Sequence, residues 1–594
     1  MDGSLPLWGS PLNEYIDNYQ FGDIGQRKKV SGEPGSNLTR EAAAALSALA
    51  WVGDSGGPND SKALSSPVTL ANLRAILKLV QYPRAYRSLA RPAVIGGCIK
   101  LMSGIKLDGR FSPFSYEYGY LCFRVLTVVL GICILDRSAR LDDSIQAIEK
   151  NIRAPGVVDL LYHSVSITLC LELSEELVMR GKEDRFDWVF GWIKADARPN
   201  LPPLVMIPDI ELLFAILWDD RKAFFKALKS TYHPGILAVI FVLWRVSRRE
   251  RNPTKASSQS IILNEIHFRY DLIVTYDQQD AMNHLNTYIG TSIETWGNNT
   301  QQVDSEDCRE VISAYIDRFN PSNPFLYKPI GVLDGPIQLH SLERFVSTGT
   351  EDLLPTVLKA TVKRIWDEMK APSELHKPDI YVDAIRDTFA NYAIILQNRV
   401  FARMADNLRQ ELVDNIINYD LIDLAARAML MLELPSEPPA PDRAGSIDFL
   451  PRVKHFYGQL GASIPKSYIY LISEHCLSEW LKFRNYLPWY PEVRRLIPKD
   501  REHIKKCLGI WNDIGRALGY QVDEASQFKC GYARCHDPLG MGSVQFTCPV
   551  CRGGAYCSAR CQALDWTYGG LPHANSCVGA KALVKFQPSV YSPT

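Results

Sequence analysis

Apolar residues recur with the spacing of helix faces along most of this chain. In SSPVTLANLRAILKLVQ, Ser66 reads as an N-cap and Pro67 as the first helical residue. Leu70, Leu73, Ile76, Leu77 and Val80 then form one apolar stripe. GVVDLLYHSVSITLCLELSEELVMRG reads as a helix closed by Gly181, and the stretch from Tyr381 to Glu433 as two or three helices in succession. Very few segments alternate with period two for long enough to be strands, so the body is expected to be mainly α. No fixed repeat survives counting, which leaves an irregular, solenoid-like array and a compact multi-helix domain both open.

Punctuation divides this pattern. Residues 1–39 are rich in Gly, Pro and Ser without a sustained period and read as a loose N-terminal segment. A helical body is expected over 40–433, a Pro-rich linker or loop over 434–446 (LPSEPPAPDRAGS), and a helical continuation over 447–525. Lesser breaks are expected at 53–66 and at 251–260 (RNPTKASSQS).

Charge changes this picture little. Lys plus Arg equals Asp plus Glu at 66 each, so no global field attracts nucleic acid or a membrane surface. The densest basic run, RVSRRER (Arg245–Arg251), follows GILAVIFVLW and reads as cations at a helix C-terminus. The N-terminus lacks the basic and apolar regions of a secretory signal. The longest apolar runs, Val125–Leu135 and Gly235–Trp244, fall short of the roughly 20 residues that span a bilayer. The expectation is a soluble intracellular protein, cytoplasmic or nuclear. Enzyme motifs are absent: there is no Walker-type loop, no G-x-S-x-G and no H-E-x-x-H. The adjacent carboxylates Asp142–Asp143 and Asp219–Asp220 read as solvated helix surface. Cys98, Cys122, Cys133, Cys170, Cys308, Cys476 and Cys507 read as small core hydrophobes, and His163, His284 and His475 as ordinary core or surface residues.

The other seven cysteines break the pattern. They crowd into 530–577 as Cys530-x4-Cys535, Cys548-x2-Cys551, Cys557-x3-Cys561 and His573-x3-Cys577. Each pair is spaced so that two side chains reach one ion, and eight ligands make two closed tetrahedral zinc sites. Thiolate and imidazole donors favour zinc over calcium or magnesium, and a closed shell leaves no place for the water a catalytic zinc needs. Counting alone allows sequential or interleaved pairing. Cys557 and Cys561, at i and i+4, share one face of a first helical turn starting near Ser558. The segment has Arg534, Arg552 and Arg560 against Asp537 and Asp565, and seven thiolates outweigh two divalent ions, the wrong sign for a phosphate binder.

YCSARCQALDW followed by His-x3-Cys resembles the MYND-type zinc finger, over Cys530 to Cys577. The resemblance implies a finger over 528–578, with a tail at 579–594, and interleaved ligation. Cys530, Cys535, Cys557 and Cys561 would hold one zinc, and Cys548, Cys551, His573 and Cys577 the other. It implies further that Gln562 hydrogen-bonds the backbone of a short proline-rich peptide and that Trp566 stacks on its prolines. The chain departs from the family in a first pair with four intervening residues where two are usual. It departs again in six residues (TYGGLP) between Trp566 and His573 where two are usual. His536 is an alternative ligand beside Cys535.

The expected function is a non-enzymatic protein–protein interaction adaptor, in transcriptional or other regulatory complexes, with proline-rich segments as partners and no direct nucleic-acid or membrane contact. The alternative, a SET-type methyltransferase carrying a MYND finger, is disfavoured because the Asn-His-Ser-Cys-type motif is missing; RING-type ligation shares the cross-brace but not the ligand spacing. NLPPLV (200–205) offers Pro202, Pro203 and Leu204 as an internal proline-rich segment on which the finger could dock.

Overall fold

GYLCFRVLTVVLGICILD is a long apolar stretch, and it lies within one helix, Glu117–Arg137. The computed structural model describes residues 8–20, 32–54, 68–150, 157–179, 185–194, 199–289, 304–370, 378–432, 448–488, 490–493, 496–520, 530, 532, 535, 546–551, 555–567 and 573–577. The chain divides into two compact units, Met1–Pro329 and Ile330–Thr594, where the sequence had offered one body over 40–433. Both are built from helices; among the described residues the strands are two short antiparallel hairpins, Lys106–Leu107 with Arg110–Phe111 and Phe546–Thr547 with Ala555–Tyr556.

In the first unit Glu117–Arg137 is the central helix. It packs against helices Leu70–Leu79, Pro92–Ser103, Leu160–Met179 and Ile236–Arg249. The helix is long and apolar enough to cross a membrane, beyond the apolar run read from the sequence, but 94% of its most apolar window is buried inside the protein. Its apolarity matches burial on all sides. Helix Ser36–Asp54 lies so close to Pro92–Ser103 that a Cβ at Gly53 would overlap the Ala93 carbonyl, and one at Gly97 the Leu49 carbonyl.

Several expectations are corrected here. Residues 8–20 of the segment 1–39 are anchored, while 32–39 are largely exposed. Tyr15 is fully buried and donates to the Phe114 carbonyl at 2.6 Å, and Pro11 bridges to Tyr116. Scarcity of periodicity had hidden three aromatic anchors, Trp8, Tyr15 and Tyr19, against Tyr116 and Tyr120. Helix Leu70–Leu79 is capped by Thr69, three residues after Ser66, because Thr69 and Asn72 satisfy each other's backbone N–H groups in a capping box. Ser66 and Pro67 lie outside the described residues, as does Gly181. The break at 251–260 is instead a helix start: Asn252 accepts the N–H groups of Thr254 and Lys255, and Pro253 opens helix Pro253–Asp271.

The run RVSRRER closes its helix with Arg248 and Arg249 in the last turn, as expected, and two of its arginines also meet a carboxylate. Helix Ile236–Arg249 puts Arg245, 4% exposed, 3.0 Å from the fully buried Asp187, and Arg249 pairs with the other oxygen of that carboxylate.

Asp220 is not solvated surface. It is buried and accepts the Phe114 N–H at 2.7 Å and the Ser112 hydroxyl at 3.3 Å, and burial pushes its carboxyl up to about 8. Asp219 is exposed, as are Asp142 and Asp143. An acid whose folded pKa is raised contributes its full stability below about pH 4 and loses it as pH rises toward about 8, at about 1.4 kcal/mol per pH unit. Asp220→Asn keeps an acceptor for Phe114 without the charge. We therefore expect its stability relative to wild type to rise across that window in urea unfolding; a constant difference would refute it.

Residues 200–205 connect into the core of this unit. Pro202 and Pro203 are exposed, but Leu204 is 1% exposed and its N–H donates to the Phe190 carbonyl at 2.8 Å. The segment therefore presents two prolines and withholds the leucine. Pro208 sits in the first turn of helix Ile207–Asp219.

In the second unit the stretch from Tyr381 resolves into helices Pro378–Gln397, Asp406–Asn418 and Leu421–Met431, with a single turn at Arg399–Ala402. Segment 434–446 lies outside the described residues, but the helices on either side pack together. Pro378–Gln397 meets Phe449–Ser463, and Leu421–Met431 meets Lys466–Tyr486. It joins helices within one unit. Trp480 and Trp511 lock the last helices, each indole N–H donating to the other residue's carbonyl at 3.0 and 2.9 Å.

Candidate metal centre

The eight ligands of 530–577 come together as two groups of four, and the pairing is interleaved. Cys530, Cys535, Cys557 and Cys561 form one; Cys548, Cys551, His573 and Cys577 form the other. Within each, the donor atoms all lie within 4.8 Å of one another. In the first, Cys535 and Cys557 sulfurs are 3.4 Å apart, Cys557 and Cys561 3.6 Å, and Cys561 and Cys535 3.6 Å. In the second, Cys548 and Cys577 sulfurs are 3.8 Å apart and Cys551 Sγ lies 3.2 Å from His573 Nε2. A tetrahedral ion with metal–sulfur bonds of about 2.3 Å sets sulfur–sulfur edges of about 3.8 Å. The donor sets fit one ion each, two per chain, with four protein ligands and no open position.

Local structure explains the convergence. A hairpin pairs Phe546 with Tyr556 and Thr547 with Ala555, which sets Cys548 at its loop end and Cys557 at its open end. The finger helix Ala559–Thr567 starts directly after Ser558, whose hydroxyl accepts the Cys561 N–H at 3.1 Å. The short helix His573–Ser576 carries the last pair, with the Cys577 N–H donating to the His573 carbonyl at 2.8 Å.

The sulfurs are not equivalent. Burial pushes the Cys530 thiol up to about 11, against the backbone N–H groups that lower it. At Cys548 burial also raises the thiol, but the N–H groups of Cys551 and Val550 together with the His573 side chain leave the group below its ordinary value. Such donors favour thiolate, the form that ligates.

Gln562 and Trp566, the residues expected to meet a peptide, already have partners within the finger. Gln562 Nε2 donates to the Thr547 carbonyl at 3.1 Å, and Trp566, 36% exposed, lies 5.9 Å from the His573 ring. Sequence reading passed over Tyr556 and Asp565, although both lie in the quoted motif. The Tyr556 hydroxyl donates to Asp565 at 2.8 Å, and its buried ring clusters with Cys535 and Cys561. A buried Tyr needs a partner for its hydroxyl, which was the available signal. His536 lies outside the described residues.

Among the described residues no other group of three or more such side chains could hold an ion. Burial pushes the thiols of Cys133, Cys476 and Cys507 up to about 12 and that of Cys170 to about 11, the behaviour of inert core residues. His163 is half-buried with its pKa lowered by burial, His284 is half-buried and His475 is exposed.

Fold and site together define a predominantly helical protein with a C-terminal pair of interleaved Cys/His centres able to hold two metal ions. Compared with models of protein families, with curated proteins and with solved structures, the chain has no match.

Proposed function

We propose that the protein is a zinc-binding adaptor, not an enzyme, whose C-terminal finger is of MYND type and binds short proline-rich segments of partner proteins. The observation that carries the reading is the interleaved grouping of four cysteines and of three cysteines with His573, beside a partly exposed Trp566. Seven sulfurs and an imidazole suit zinc, and two filled tetrahedra suit a structural role. Trp566 offers a flat apolar face at the surface of the finger helix, and prolines stack on such faces at low entropic cost. In a regulatory complex the helical units would then carry the finger to its target.

The test is fluorescence anisotropy of a labelled Pro-Pro-Leu peptide with full-length protein, in excess zinc so that both centres are filled. Binding is expected, and Trp566→Ala is expected to weaken it by about 2 kcal/mol, roughly thirtyfold, as for an aromatic hot spot. Absence of binding by the wild-type protein, or equal affinity of the variant with two zinc ions per chain, would overturn the peptide reading.

A further inference from the structure

The finger helix begins on the first centre and reaches the second by several contacts. Cys561, a ligand of the four-cysteine centre, lies in its first turn. Gln562, next in sequence, donates to the carbonyl of Thr547, the residue before ligand Cys548 of the second centre. One turn along, Asp565 accepts from Tyr556, which precedes ligand Cys557 and stands edge-on to the His573 ring at 6.3 Å. Trp566 lies against the same His573 ring from the other side of the sequence, at 5.9 Å with the planes tilted by 57°.

A helix of nine residues is far too short to stand alone in water. What can form it is the Cys557–Cys561 pair closing on an ion. Once formed, it fixes the strand Phe546–Thr547 that leads into Cys548 and the ring orientation of His573. Groups that orient ligands in this way change metal affinity by about 10–100-fold.

We propose that the two centres load in order, the four-cysteine centre first, and that Gln562, Trp566 and the Tyr556–Asp565 pair are positioning residues through which it assembles the second. The proposal rests on the metal reading of the two groups and is independent of the peptide reading. It gives Gln562 and Trp566 a duty inside the finger, so a defect at either position lowers metal occupancy as well as any ligand affinity.

Cobalt(II) titration of metal-stripped, reduced full-length protein tests it, because four-sulfur and three-sulfur–one-nitrogen sites have different ligand-field bands. The first equivalent is expected to give the four-sulfur spectrum and the second to add the other. Gln562→Ala, a good helix former on a partly exposed face, and Trp566→Ala should each weaken the second step about 10–100-fold and leave the first unchanged. Tyr556→Phe, which keeps the ring and removes only the hydroxyl, should act in the same direction. Cys535→Ser should abolish both steps and Cys548→Ser only the second. A first equivalent shared between both spectra, or second-step affinity unchanged in both Gln562→Ala and Trp566→Ala, would overturn ordered loading alone. Failure to take up cobalt at all would overturn the metal reading with it.

Discussion

Chelation of the full-length protein is expected to remove two metal ions per chain and to unfold residues 530–577 while the helices before residue 530 keep their far-UV circular dichroism. The finger's buried clusters are nearly all ligand: Cys535, Tyr556 and Cys561 in one, Cys548 and Cys577 in the other. Without ions those sulfurs are left as a handful of small apolar groups, far too little to offset the entropy of ordering some fifty residues. Structural zinc supplies about 10–16 kcal/mol to a segment of this kind, which makes metal binding and folding one event. Metal analysis, circular dichroism and limited proteolysis, with and without chelator, check this together. Proteolysis should begin within the finger after chelation. One ion or none in carefully purified protein, or collapse of the helical signal, is the result that would count against it.

Asp187→Ala is expected to destabilise the first unit by about 3–5 kcal/mol, read as a lower urea midpoint, because it removes the carboxylate from beside a buried guanidinium. Asp187 is fully buried, Arg245 is 4% exposed, and Arg249 pairs with the same side chain. Replacing the pair is a different matter: Asp187→Ala with Arg245→Met removes both charges, and most of the lost stability should return. If the double variant were as unstable as the single one, the loss would belong to packing around Asp187 and not to the ion pair.

Helix-forming segments were legible because a 3.6-residue apolar period survives whatever the helices later pack against. Of the stripe Leu70, Leu73, Ile76, Leu77 and Val80, the residues Leu73, Ile76 and Val80 are buried and Leu70 and Leu77 half-buried. Boundaries were less legible, since Ser66 and Thr69 are both good caps on paper and only the reciprocal bond with Asn72 separates them. RNPTKASSQS reads as a break by composition and as a helix start by geometry, because Asn and Pro are both turn residues and N-terminal helix residues.

Local sequence determined the candidate metal ligands, since chelation needs particular side chains at short spacings, and those spacings are printed in the chain from Cys530 to Cys577. It also determined the helical class, which depends on periodicity within single segments. Which pairs could share an ion was open to counting and implied only by the resemblance; the fold groups them, with Cys535 3.4 Å from Cys557 and Cys548 3.8 Å from Cys577. Only the tertiary structure decided the setting of Asp220, the pairing of Asp187 with Arg245, and the division at Pro329. Each depends on partners tens of residues away, and no local pattern encodes a contact whose energy comes from desolvation by distant chain.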